Sequence, residues 1–117
     1  MAEADAVGIG ISRPFLMSVR ATDLLREGQS DAALERARAA CRHAGRTGQR
    51  LWEPEIWRRR AEIHFARGEI GEGLRAGRIA LAFAEANATE PMAERCRRTL
   101  APFSSGVAGA VTAITTS

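Results

Sequence analysis

The side chains able to do chemistry are few and scattered. Cys41-Arg42-His43, His64 and Cys96 supply all the soft metal ligands. Structural zinc sites pair their ligands at short fixed spacings. Here one Cys-x-His pair is followed by single ligands about 20 and 50 residues further on. Packing and surface roles are therefore expected, with no metal and no other cofactor. Gly71-Glu72-Gly73 with Gly77 has the glycine content of a phosphate-binding loop but not its order. It lacks a Gly-Lys-Ser/Thr ending, and the chain has no Lys at all, so close helix packing is the expected role. Glu53, Glu55 and Glu62 are acids on one segment, yet nothing in the sequence would bury them and tune a pKa for acid–base work. No Ser/His/Asp or Cys/His set is suggested. The chain reads as non-catalytic.

Charge offers a second kind of site. All 17 basic residues are Arg, against 14 acids and a formal charge of +3. Arg58-Arg59-Arg60, Arg97-Arg98 and an Arg38, Arg42, Arg46 stripe at i, i+4 spacing suggest basic faces. A nucleic-acid binder would set base-stacking aromatics among such charges. Trp57 adjoins the run but is expected to point into the core. Acids also lie within helical reach: Glu55 of Arg58 and Arg59, Glu94 of Arg97 and Arg98, Asp23 of Arg26. Arg and Ala in such excess also match the codon choice of a GC-rich genome. Nucleic acid is thus the rival partner, not the leading one.

The elements that must position these residues follow from a repeat. Pro14 recurs as Pro54, Ala21 as Ala61, Gly28 as Gly68, Leu34 as Leu74, Ala40 as Ala80 and Ala44 as Ala84. Arg20/Arg60 and Arg38/Arg78 share the register, giving eight identities at a spacing of 40 residues. Roughly two to three would arise by chance in so biased a composition. Each copy reads as helix, Gly turn, helix, and a fixed period of this size signals stacked helical units.

The first helix starts at an Ser12 cap with Pro14 in its first turn and runs to about Glu27. Ser30 or Asp31 caps the second, which runs to about Ala44 or Arg46. The third spans from near Glu53 to Gly68, and the fourth from about Gly71 to Ala86. Gly71, Gly73 and Gly77 each cost this fourth helix roughly 1 kcal/mol relative to Ala; Gly73 and Gly77 align with Ala33 and Ala37, where paired helices would touch. A partial fifth helix begins at Pro91 and stops by Pro102.

Residues 1–10 read as a flexible leader, 11–101 as one helical-repeat domain, and 102–117 as an uncharged tail without fixed structure, or the decayed start of a third repeat. No 18-residue apolar run is present, so no membrane span is expected. The first residues carry acids where a signal peptide needs positive charge, so a cytoplasmic location is expected. Cys41 and Cys96 then read as reduced, half-buried apolar residues.

With Gly28 and Gly68 at the turn glycine, Ala21/Ala61, Ala33/Gly73 and Ala40/Ala80 at the small positions and Trp57 at the tryptophan position, residues 14–86 resemble the tetratricopeptide family. The period is 40 instead of 34, and Arg20/Arg60 sit where an apolar residue is usual. The stretch 47–65, TGQRLWEPEIWRRRAEIHF, is similar to helix starts in the C-terminal regions of bacterial signalling proteins. These include cyclase-domain proteins with an ATPase core and LuxR-type transcriptional regulators. None of their catalytic domains is present, so a fragment or stand-alone relative is implied, without their activity.

The resemblance implies an all-α fold: two antiparallel helix pairs in a short right-handed solenoid, plus the partial fifth helix. It also implies a peptide- or protein-binding groove on the first helix of each pair, at Phe15, Ser18, Thr22 and Arg26 and at Glu55, Arg58, Glu62 and Phe65. The open C-terminal end, apolar and uncapped, suggests self-association. The expected function is a non-catalytic protein–protein interaction or regulatory module of bacterial signalling type.

Overall fold

The computed structural model describes residues 12–116 apart from 49 and 88, with side chains described to Ser104. The leader expected over 1–10 lies outside the described residues. Among those described the chain is all-helical, with no strand. Its elements are α1 (Arg13–Arg26), α2 (Ser30–Thr47), α3 (Glu53–Ala66), α4 (Ile70–Ala86) and α5 (Glu90–Thr116).

Local chemistry sets the boundaries. The Ser12 hydroxyl accepts from the Phe15 N–H at 3.1 Å, with Pro14 in the first turn, where a missing N–H costs nothing. Gly28 and Gly68 stop α1 and α3 with φ of 84° and 82°. At both turns the same pair of closing bonds forms: Gln29 N to Leu24 O and Gly28 N to Leu25 O, then Glu69 N to His64 O and Gly68 N to Phe65 O. That is the Schellman pattern, which needs a residue free to enter the left-handed region. The 40-residue repeat is therefore a repeat of backbone geometry. The cap of α2 differs from expectation. The helix starts at Ser30 itself, with Gln29 before it and no side-chain cap bond. Arg67 has claimed the candidate caps: its Nη1 donates to Ser30 Oγ at 3.0 Å and to Asp31 Oδ1 at 2.7 Å.

Neighbouring helices run antiparallel. Leu24 of α1 meets Ala33, Leu34 and Ala37 of α2, while Phe15 and Met17 meet Ala40, Cys41 and Ala44. On α3 and α4, Phe65 sits against Gly73 and Ala61 against Gly77. Ala80 and Ala84 of α4 then pack on Ala93 and Cys96 of α5, and Gly77 on Leu100. Small residues at these crossings let backbones approach closely. A Cβ at Gly73 would overlap the Phe65 ring, and one at Gly77 would overlap Leu100. Trp57 packs against three of the four core clusters, joining α2, α4 and α5 through α3.

Every second helix also touches. Arg59 of α3 reaches Thr22 of α1, and Arg58 of α3 reaches Thr99 of α5. Residue numbers rise together along these contacts, so α1, α3 and α5 lie side by side and parallel. On the other side, α2 packs on α1 and α3, and α4 on α3 and α5.

The C-terminal end departs from expectation. α5 does not stop at residue 101 but carries Pro102 inside it. Of the tail expected to lack fixed structure, residues 102–104 are helical, and Phe103 stacks on Phe65 with ring centroids 3.8 Å apart. Nor is the end an open apolar face over 90–104. Its outward side holds Glu90, Glu94, Arg97 and Arg98, joined by ion pairs. No helix of the described residues is long and apolar enough to cross a membrane.

Candidate functional site

The parallel layer of α1, α3 and α5 leaves a trough, and its C-terminal half is the roomier part. About 520 Å³ of open space lies between Thr22, Leu25 and Arg26 of α1, Glu62, Phe65 and Ala66 of α3, and Arg98, Thr99, Pro102 and Phe103 of α5. The floor is apolar: Phe65 stacked flat on Phe103, with Leu25 beside them. Arg26 and Arg98 stand on the two rims, both largely exposed and each near one acid, Asp23 and Glu94. The hydroxyls on the walls are already engaged. Thr22 Oγ1 accepts from Arg59 and donates to the Ser18 carbonyl. Thr99 Oγ1 accepts from Arg58 and donates to the Arg95 carbonyl. Binding capacity there rests on the apolar floor, the two Arg rims and the half-exposed Glu62.

The N-terminal half holds a smaller recess of about 250 Å³, lined by Phe15, Leu51, Trp52, Glu55, Arg59, Met92 and Arg95. Phe15 and Trp52 meet at 4.5 Å between centroids, and the Arg59 guanidinium lies over the Phe15 ring. Between trough and recess runs a buried ion network. Arg58 donates through Nη2 to Glu55 Oε2 and through Nη1 to Glu62 Oε2, each at 2.7 Å, and through Nε to Glu55 Oε1 at 2.9 Å. The Arg59 Nε lies 3.0 Å from Glu55 Oε2 but is not aligned to donate. Burial alone would raise the Glu55 pKa; the Arg58 hydrogen bonds and the Arg58 and Arg59 charges outweigh it and hold the carboxyl below 4.5.

Of the eight expected groove residues, Thr22, Arg26, Glu62 and Phe65 come together in the trough, and Phe15 and Glu55 in the recess. Two do not line it. Ser18 is fully buried, with its hydroxyl donating to the Phe15 carbonyl, and Arg58 is 7% exposed inside the network. Arg58 faces the seam with α5, where it meets Thr99. The α5 contributions, Arg98, Thr99 and Phe103, were missed because a helix ending near Pro102 was expected. The apolar spacing of Met92, Cys96 and Leu100, continued by Phe103, is the signal that reaches past it.

The Arg58-Arg59-Arg60 run is no basic face. Arg58 and Arg59 turn into the network, and Arg60 lies over Trp57 and donates to His64 Nε2 at 3.4 Å. His64 Nδ1 lies 2.8 Å from Glu69 Oε1, so the buried ring has a partner on each nitrogen. The soft ligands are not gathered. Cys41 and Cys96 are free thiols in separate core clusters. Burial pushes both up to about 11; a hydrogen bond from Arg60 opposes this for Cys41, and the Arg58 charge for Cys96. Among the described residues no group of three metal-ligating side chains forms.

Comparison with known proteins adds no relative: no family model, curated protein or solved structure matches the chain.

Proposed function

We propose that this chain is a non-catalytic protein-interaction module, built of tetratricopeptide-like helix pairs in a short right-handed solenoid, that holds a peptide segment in the α1–α3–α5 trough. The observation that supports this reading is the trough itself. Three parallel helices present a continuous stacked-aromatic floor between charged rims, a surface suited to an extended or helical segment with one apolar anchor. The two buried thiols have pKa values raised well above neutrality, which leaves them weak nucleophiles and favours binding over covalent chemistry. A regulatory role of bacterial signalling type, within the cytoplasm, is the context the sequence resemblance supports.

The test is selection of binding peptides from a random displayed library, followed by amide chemical-shift mapping on the folded chain. Shifts at Thr22, Glu62, Thr99 and Phe103 are the expected result. Thr22→Trp, which fills the trough from its half-buried wall, should then weaken the selected peptides about tenfold or more, a hot-spot-sized loss. Peptides mapping to α2 and α4, or indifferent to Thr22→Trp, would overturn the reading.

A further inference from the structure

The arginines of this chain divide unevenly between the layers. In the trough layer and its turns, Arg20, Arg26, Arg58, Arg59, Arg67, Arg97 and Arg98 meet carboxylates, while Arg60 lies over Trp57 and Arg50 and Arg95 are exposed without an ion pair among the described residues. On the two outer helices, Arg38, Arg42 and Arg46 of α2 and Arg75 and Arg78 of α4 are exposed. Among the described residues none of these five makes a side-chain hydrogen bond or ion pair. Codon bias accounts for how many arginines a chain has. It does not account for which of them are left without acids.

Their placement is ordered. Arg38, Arg42 and Arg46 follow one another at i, i+4, about 6 Å apart along the axis. They lie opposite the buried stripe of Ala33, Ala37, Cys41 and Ala44. Arg78 repeats Arg38 at the 40-residue spacing, on the next outer helix. Two exposed acids share this face, Glu35 and Glu72. The other nearby acids are engaged: Asp31 with Arg67 and Glu85 with Arg97. The face is thus net positive.

We propose that this outer face of α2 and α4 binds the phosphate backbone of double-stranded nucleic acid, independently of base sequence. Three chemical arguments choose this occupant. A lipid surface wants apolar side chains beside the charges, and the exposed large apolar residues among those described, Leu16 and Leu51, lie outside both helices. A protein interface wants a buried aromatic or aliphatic anchor, and this face has none. A single strand wants stacking aromatics, which are also missing here, whereas Arg reads phosphate by its two-pronged guanidinium alone. The chain would then carry a peptide on one layer and a duplex on the other. This second site does not depend on the trough.

The test is fluorescence anisotropy of a mixed-sequence duplex of about 24 base pairs, between about 50 and 200 mM salt. Full occupancy by five arginines gives a slope of log K against log salt of about −4.5. The triple variant Arg38→Gln, Arg42→Gln, Arg46→Gln should lower affinity tenfold or more and flatten the slope by about 2.7. A control, Arg20→Gln, Arg97→Gln, Arg98→Gln, removes the same charge from paired positions and should leave most of the binding. Failure to bind the duplex at the lowest salt would overturn the proposal. So would an equal loss in the control triple, or retention on phosphatidylserine vesicles without duplex binding.

Discussion

The two helix pairs share a framework and differ in what fills it. Ala21 and Ala61 are both fully buried, as are Ala40 and Ala80, and Ala44 and Ala84; Leu34 and Leu74 are equally deep. Between these fixed points the chemistry diverges. Ser18 of the first pair is Arg58 in the second, Phe15 is Glu55, and Leu24 is His64. Position explains the divergence. Among the described residues α1 has neighbours on one side and buries four of its fourteen residues, whereas α3 lies between α1 and α5 and buries nine of fourteen. A helix covered nearly all round must bury polar groups if its sequence holds them, and it does so only where each finds a partner. The first pair is an amphipathic unit; the second is a hub held by charge.

The most decisive way to break this comparison is at the shared position 18/58. Arg58→Ala would leave the buried Glu55 without its main partner, and the half-exposed Glu62 without its own, and should cost about 3–5 kcal/mol. Ser18→Ala removes one hydroxyl bonded to a carbonyl that the helix already uses, and should cost about 0.5–1.5 kcal/mol. Urea denaturation of both variants measures the contrast, and equal losses would mean the network is not the keystone of α3. The same network shapes the acid limb. Glu55 has its folded pKa held below 4.5, so its contribution is complete above the unfolded value and is lost as pH falls through the folded one. Stability should therefore drop below about pH 4.5, and Glu55→Gln should flatten that limb. Glu53 works in the opposite sense: burial raises its pKa against the Arg50 charge, so its protonation favours the folded state as pH falls.

The framework was legible in the sequence because backbone geometry demanded it. Gly28 and Gly68 are the residues that can hold a left-handed turn, and alanines recur where helices touch, so the 40-residue spacing carried the fold. The hub was not legible. α3 reads Arg-Arg-Arg beside Glu, a pattern that local rules assign to a solvated face, and only the packing of α1 and α5 against it turns Arg58 inward. The reach of α5 was obscured by Pro102, which ordinarily ends a helix. Here Pro102 and Arg98, one turn apart, are both exposed. Thr22, Arg26, Glu62 and Phe65 could be placed from the repeat register; the α5 half of the trough could not.

The glycines of α4 separate close packing from mere composition, since Gly77 aligns with Ala37 of the first pair. An added Cβ at Gly77 meets Leu100, a branched side chain already held in the core. Gly77→Ala should therefore cost about 1–3 kcal/mol, although Ala is the better helix former. Gly71 has nothing within 4 Å of an added Cβ, and its backbone is not left-handed. Gly71→Ala should stabilise by about 0.4–1 kcal/mol, by restricting the unfolded chain. Opposite signs on one helix, read as opposite shifts of the urea midpoint at unchanged m-value, would show that Gly77 makes room for α5 and Gly71 does not. If both substitutions stabilised, Leu100 could retreat, and α5 would be a looser neighbour than α1 and α2 are to each other. The trough, whose α5 wall hangs on that contact, would then be the adaptable part of the molecule and the first helix pair its rigid part.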